Sequence, residues 1–157
     1  MMKVRKPITP EQAMVRMEEL CARAEHSSGE IMQKLLRLGI FPSDAERIVR
    51  SMTQRRFIDD SRFARAFARD KMEYARWGKR KIALALYQKR VSRELIAEAL
   101  DSLDTERYRL ILHELIAAKK RNLAEPDTYE GRTKLFRFAA SRGFEPDLIA
   151  SALRSRQ

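Results

Sequence analysis

Seven positions recur three times along this 157-residue chain in one ungapped register. Ile31, Ile82 and Leu135 correspond, as do Leu35, Leu86 and Ala139. Gly39, Arg90 and Gly143 follow at a turn, with Ile40, Val91 and Phe144 directly behind it. Ala45, Ile96 and Ile149 match next, then Ile48, Ala99 and Ala152, then Val49, Leu100 and Leu153. Any two amphipathic helices share a period, but a register kept through helix, turn and helix marks an internal repeat. A unit this small buries too little surface to be stable alone. The units are therefore expected to stack and stabilise one another through shared interfaces.

The elements within each unit read as helices. Five Gly and five Pro are few for the turns of an all-β protein, and no stretch alternates apolar and polar residues for long enough to be a strand. Thr9-Pro10-Glu11-Gln12 combines an N-cap, a first-turn proline and a capping-box glutamine, opening a helix with Ala13, Met17, Leu20, Cys21 and Ala24 on its apolar stripe. His26-Ser27-Ser28-Gly29 breaks it, and Gly39 takes the C′ position of the next helix. Ser43 with Glu46 predicts a capping box for the third. In the middle unit Asp59 or Asp60 caps a helix carrying Phe63, Phe67 and Met72, which Trp77-Gly78 closes. A basic helix from about Gly78 to Arg90 follows, then one capped by Ser92 with Leu95, Ile96, Ala99 and Leu100 inward. The last unit starts near Asp104 with Leu110, Leu112, Leu115 and Ile116 inward; Ala124–Asp127 is the most loop-like segment, and Pro146 opens the final helix. The expected fold is all-α, an elongated array of three tandem three-helix, helix-turn-helix-like repeats spanning residues 1–57, 58–103 and 104–157, with nine helices.

Charge points to the partner class. The formal charge is +11, which favours polyanions and nucleic acid first among them. The second helices, residues 28–39, 78–90 and 130–142, carry +1, +5 and +3 and so hold most of it. The third helix of the middle unit is acidic, with Glu94, Glu98, Asp101 and Asp104. Lys79, Arg80 and Lys81 stand at a helix start, where the macrodipole disfavours cations by about 0.3–1 kcal/mol each. Arg132 and Lys134 repeat the arrangement after Gly131. Two readings are open: the turns at Gly78 and Gly131 are anion contacts, or they are a solvated basic face without a ligand. The candidate DNA or partner contacts are Lys79, Arg80, Lys81, Lys89, Arg90, Lys119, Lys120, Arg121, Arg132, Lys134 and Arg137. Lys119-Lys120-Arg121 also suits simple complementarity with a helix C-terminus. Trp77 is either a base-stacking or partner anchor, or an indole packed between units.

No catalytic constellation stands out. His26 and His113 lie far apart without metal-ligand spacing, and no phosphate loop, dinucleotide fingerprint or Cys–His pair is present. Asp59-Asp60 fits helix capping better than a metal site or an acid–base dyad. Cys21 forms no intrachain disulfide and reads as a small core residue rather than a reactive thiol. No enzyme activity, cofactor or metal is expected. With no apolar leader segment and no membrane-length run, a cytoplasmic, monomeric protein is expected.

The run Phe57-Ile58-Asp59-Asp60-x-Arg62-Phe63-Ala64, then Trp77-Gly78-x-x-Lys81-Ile82, then Leu86-x-x-Lys89-x-Val91-Ser92-x-Glu94-Leu95-Ile96, closely resembles the RecX family. Phe67 belongs to the same structural motif. Lys134-Leu135-x-Arg137-Phe138 and Arg142-Gly143-Phe144 resemble that family's C-terminal unit. Arg90 departs from the pattern, standing where a glycine is usual, and this puts the turn geometry there in question. The resemblance implies a regulator of the RecA recombinase that binds RecA and its filament on single-stranded DNA; weak binding to duplex DNA is expected besides. It would inhibit ATP hydrolysis and strand exchange in DNA repair, recombination and the SOS response. Two other classes remain: a helix-turn-helix regulator of transcription reading duplex DNA, and a helical solenoid that binds only proteins.

Overall fold

The computed structural model describes residues 7–154. Among these residues there are nine helices and no strand: α1 (Pro10–Arg23), α2 (Ser28–Arg37), α3 (Pro42–Gln54), α4 (Asp60–Glu73), α5 (Lys79–Gln88), α6 (Arg93–Asp101), α7 (Thr105–Lys120), α8 (Tyr129–Ser141) and α9 (Pro146–Arg154). The fold is the all-α repeat that the register requires.

Local chemistry sets most helix starts. Thr9 and Gln12 form a reciprocal capping box on α1, and Ser27 and Glu30 form one on α2. Asp59 caps α4, Ser92 caps α6 and Asp104 caps α7, each accepting from an amide of the first turn. The Ser43–Glu46 box does not form. Pro42 takes the first helical position, which moves the cap back to Phe41 and leaves that start without a side-chain acceptor. Two further expectations shift. The middle unit's first helix ends at Glu73, short of Trp77, because Tyr74 and Arg76 turn the chain, Arg76 with φ 56°. Leu110 is half exposed, while Tyr108 and Ile111 take the inward positions of α7.

Packing is uneven along the array. Helices α1–α3 enclose their own core around Ile31, Leu35, Ile48 and Met52, and Ile58 closes it. A single cluster from Phe63 to Ala152 joins the helices of the middle and last units. The first unit meets the second through polar contacts. Arg62 Nε donates to Glu25 at 2.6 Å, and the Ser28 amide and hydroxyl donate to the two oxygens of Asp60 at 2.7 and 2.5 Å.

One joint is built twice. In the register of the repeat, Ser27 matches Gly78, and Lys89 matches Arg142. Ser27 Oγ, fully buried, donates to the Lys89 carbonyl at 2.8 Å. The Gly78 amide donates to the Arg142 carbonyl at 2.7 Å, and the Arg80 amide to the Gly143 carbonyl at 3.0 Å. Each second helix thus sets its N-terminus on the C-terminal turn of the next unit's second helix. The receiving turns need a left-handed residue, supplied by Arg90 (φ 63°) and Gly143 (φ 96°). Arg90 therefore keeps the turn geometry that a glycine usually supplies. The approach is close: a Cβ on Gly78 would strike the backbone of Gly143 and Phe144, and one on Gly29 would lie 2.5 Å from Arg90 Cβ.

These contacts give a comparative prediction. Gly78→Ala should lower stability by about 2–3 kcal/mol in urea denaturation, because backbone rather than a flexible side chain must move. Gly39→Ala, with φ 84° but nothing within 4 Å of the new methyl, should cost only about 1 kcal/mol of backbone strain. Equal losses would mean that the joint tolerates the methyl group.

Candidate nucleic-acid interface

The basic helix α5 does not offer its N-terminal amides to solvent. Gly78 and Arg80 donate to carbonyls of the α8 turn, and the Lys79 amide donates to Tyr108 Oη at 2.9 Å. The Tyr108 hydroxyl in turn donates to a Glu145 carboxylate oxygen. Burial and that hydrogen bond push the Tyr108 phenol well above its usual range. The Gly78, Lys79 and Arg80 amides are therefore already paired within the protein and are not free to hold an anion. Gly131 fails for a different reason: α8 begins at Tyr129 with Thr128 as its cap, so Gly131 lies inside the first turn and its amide donates to Thr128 Oγ1.

The side chains converge elsewhere. Lys81 Nζ lies 4.7 Å from the centre of the Trp77 ring and Lys71 Nζ 4.8 Å from it. Lys71 is also 5.4 Å, and Lys89 5.7 Å, from the ring of Phe67. Phe67 and Trp77 form the half-buried floor of a groove of about 420 Å3 between α4, α5 and the start of α2. Cation–ring contacts of this kind contribute about 0.5–1 kcal/mol each where exposed. The nearest acid is Glu30, 3.4 Å from Lys89 Nζ, while Lys71 and Lys81 have no ion-pair partner among the described residues. Three ammonium groups with one carboxylate form a site that an anion would stabilise. Because the lysines already cover the Trp77 ring, its chemistry suits phosphate rather than a stacked base.

The remaining candidates are dispersed. Lys79 stacks 5.2 Å over Tyr108, and Arg80 and Arg90 are exposed on either end of α5. In the last unit Lys119 and Arg142 meet over Phe138, at 5.1 and 5.0 Å. Lys120 pairs with Asp127 at 3.4 Å, and Arg132 donates to the Asp127 carbonyl at 2.9 Å, so both tie down the α7–α8 loop. Arg121, Lys134 and Arg137 are exposed. Lys71 and Arg142 escaped the sequence reading. The available signal was spacing: each cation follows an aromatic residue by four positions on one helix, Phe67–Lys71 and Phe138–Arg142.

The other motif residues are structural. Phe57 packs on the first core; Phe63, Ile82 and Leu86 are buried in the second, Ile82 and Leu86 completely. Asp59 caps α4 and Asp60 binds Ser28, so each carboxylate has a structural partner. No group of three or more His, Cys, Asp or Glu among the described residues has the geometry to hold a metal ion. Nor is any described helix long and apolar enough to cross a membrane.

The architecture defines a class: a helical-repeat protein of three-helix units linked end to end, with a cation–aromatic groove on the middle one. Residues 59–100 match the family described as RecX, second three-helix domain, and residues 111–153 match RecX, third three-helix domain. Regulatory protein RecX of Chlorobium phaeobacteroides (strain BS1) is 31% identical over 134 residues, covering 85% of this chain and 86% of the relative. Regulatory protein RecX of Clostridium botulinum (strain Eklund 17B / Type B) is 33% identical over 131 residues, 80% of this chain. The match spans only 59% of that relative, and 46% of the relative from the Alaska E43 / Type E3 strain. The crystal structure of RecX from Lactobacillus salivarius aligns with a TM-score of 0.84 over 92% of this chain and 94% of that one. At 18% identity, that likeness speaks for the fold alone. The chain belongs to the RecX family, whose members compared here are named regulatory proteins.

Cys21, the one thiol, sits half-buried against the first core. Burial pushes its pKa above the usual thiol range, and the Glu25 and Glu30 carboxylates add to the effect. It is expected to react with iodoacetamide at neutral pH about tenfold more slowly than a free cysteine. The rate should climb only above the usual thiol pKa; reaction as fast as glutathione at neutral pH would contradict the core assignment.

Proposed function

We propose that this chain regulates the RecA recombinase by binding RecA and its filament on single-stranded DNA, restraining ATP hydrolysis and strand exchange. Membership of a family of regulatory proteins supports the first half of this reading. The groove lined by Lys71 and Lys89 over Phe67 and Trp77, with Lys81 on the same Trp77 ring, carries the nucleic-acid half. The action is non-covalent. Three tandem units, residues 1–57, 58–103 and 104–157, would span neighbouring subunits of the filament while the lysine groove holds the phosphate backbone.

A duplex-reading regulator would place a later helix of a unit in the major groove. In the middle unit that helix is α6, whose exposed Glu94, Glu98 and Asp101 would repel phosphate. Single-stranded DNA held within a protein filament is the better fit.

The single-stranded-DNA-stimulated ATPase of RecA should fall when this protein is added at substoichiometric amounts. An unchanged rate at excess protein would reject the assignment. On oligo(dT) alone, binding should be sequence-independent and steeply salt-dependent. Lys71→Gln with Lys81→Gln should reduce the slope of log K against log salt by about 1.4, the value for two lost phosphate contacts on a single strand. An unaltered slope would remove these lysines from the interface.

A further inference from the structure

The joint described above recurs between consecutive units, so each end of the array presents half of it. At the last unit the donating half is already covered. Gly131, the counterpart of Ser27 and Gly78, is buried, and a Cβ there would strike the Glu125 carbonyl and Pro126 of the chain's own α7–α8 loop. At the first unit no described residue covers the receiving half. Gly39, the counterpart of Arg90 and Gly143, has the left-handed φ of 84° but nothing within 4 Å of where a Cβ would stand.

The open half extends into a groove. The shift that carries Ile31 onto Ile82 also carries the inward Ala13, Met17 and Cys21 of α1 onto Ala64, Ala68 and Met72 of α4. It places Leu20, Lys34, Arg37 and Leu38 on Lys71, Ala85, Gln88 and Lys89. Those four residues of the middle unit line the groove into which Gly29, Glu30 and Gln33 of α2 descend. Their counterparts on the first unit line a cavity of about 350 Å3 between α1 and α2, with no segment of the described chain on it. Its floor is Met17, Leu20 and Leu38.

The rim carries Arg16, Arg23, Lys34 and Arg37 against the single acid Glu19, and none of the four cations is in an ion pair among the described residues. In the middle unit's copy of this surface, which α2 walls on one side and fills only in part, the incoming helix presents Ser27 as its cap and Glu30 in its first turn, and Glu30 meets Lys89. An occupant of the open copy faces four cations where α2 faces three, Lys71, Lys89 and Arg90. The chain's own first residues, with Lys3, Arg5 and Lys6, have the wrong sign. A second copy's α8 has its first turn plugged, so head-to-tail growth is blocked at the donor side. The aliphatic floor of Met17, Leu20 and Leu38 offers a phosphate chain neither a hydrogen bond nor an aromatic ring to hold the cations over it.

We propose that the α1–α2 groove is the vacant receiving face of the array, and that it takes the N-terminal turn of an amphipathic helix of a partner protein, acidic in its first turn and carrying aliphatic anchors. This interaction is separate from the RecA and DNA reading and stands or falls on its own test.

The test uses the full chain and a fluorescein-labelled peptide of about twelve residues, with a serine cap, Asp and Glu in the first turn, and leucines at i, i+4 and i+7. Anisotropy should show saturable binding. Serine in place of the leucines, or Gln and Asn in place of the acids, should each weaken it at least about tenfold. Arg16→Glu with Arg37→Glu should cause a similar loss with an unchanged thermal melt, while Arg65→Glu with Arg109→Glu changes binding less than about twofold. If the double reversal does not fold, Lys34→Glu alone should still weaken binding by about threefold. Equal affinity for the leucine-free peptide would overturn the proposal. So would displacement of the peptide by equimolar oligo(dT), which would assign the groove to nucleic acid. A dimer in sedimentation that Arg16→Glu with Arg37→Glu dissolves would instead assign it to a second copy.

Discussion

Everything in this array depends on one short-range demand: the amides at a helix start must find acceptors when another unit covers them. An N-terminus has four unpaired N–H groups and a C-terminal turn has unpaired carbonyls. At α5 the Gly78 and Arg80 amides meet the carbonyls of Arg142 and Gly143 directly, while at α2 the Ser27 hydroxyl meets the Lys89 carbonyl and the Ser28 amide turns to Asp60. That arrangement also aligns the macrodipoles of α2, α5 and α8 head to tail, the positive end of each against the negative end of the next. It works only at contact distance. Hence the absence of a side chain at Gly78 and at Gly29, and the tightly turned backbone at Arg90 and Gly143.

The two joints differ in what surrounds the hydrogen bonds. Between the middle and last units, the shared core of Phe63, Ile82, Leu112, Leu135 and Phe144 surrounds the joint, and Tyr108 locks it by accepting from Lys79 and donating to Glu145. Between the first and middle units the contacts are polar: Ser27 to Lys89, Ser28 to Asp60, Arg62 to Glu25. Apolar burial adds stability roughly with area, whereas exposed ion pairs add little and weaken with salt. The first joint is therefore the more yielding of the two, and the one that ionic conditions act upon.

Sequence pattern made the repeat legible because the inward positions Ile31, Ile82 and Leu135 are buried for the same reason in each unit. Caps at Thr9, Ser92 and Asp104 were equally readable, since they depend on residues a few positions apart. What failed depended on partners distant in sequence or on local competition. Pro42 displaced the Ser43 cap. Tyr108 is inward because its hydroxyl is consumed by Lys79 and Glu145, one from another unit, and Leu110 consequently faces out. At the candidate site, Lys81 and Lys89 were legible from charge. Lys71, on a neighbouring helix, was not, because only the fold brings it to the same ring as Lys81.

The cluster Lys79-Arg80-Lys81 shows why a local electrostatic argument misled. At an isolated helix start these cations would be unfavourable, and an anion would be the natural remedy. Here the carbonyls of Arg142 and Gly143 lie against that start and bring the negative end of α8 with them. The dipole penalty is offset within the protein, so the cations need no ligand to be tolerated, and their presence there says nothing about one. The lysines over Trp77 and Phe67 are a different case. Ring quadrupoles attract each ammonium but do not neutralise it, and Glu30 balances one charge of three. Lys71 and Lys81 share the Trp77 ring, and neither is in an ion pair among the described residues. The lysines left without an ion pair therefore lie around the Trp77 ring, whereas those at the helix terminus are accommodated by the α8 turn.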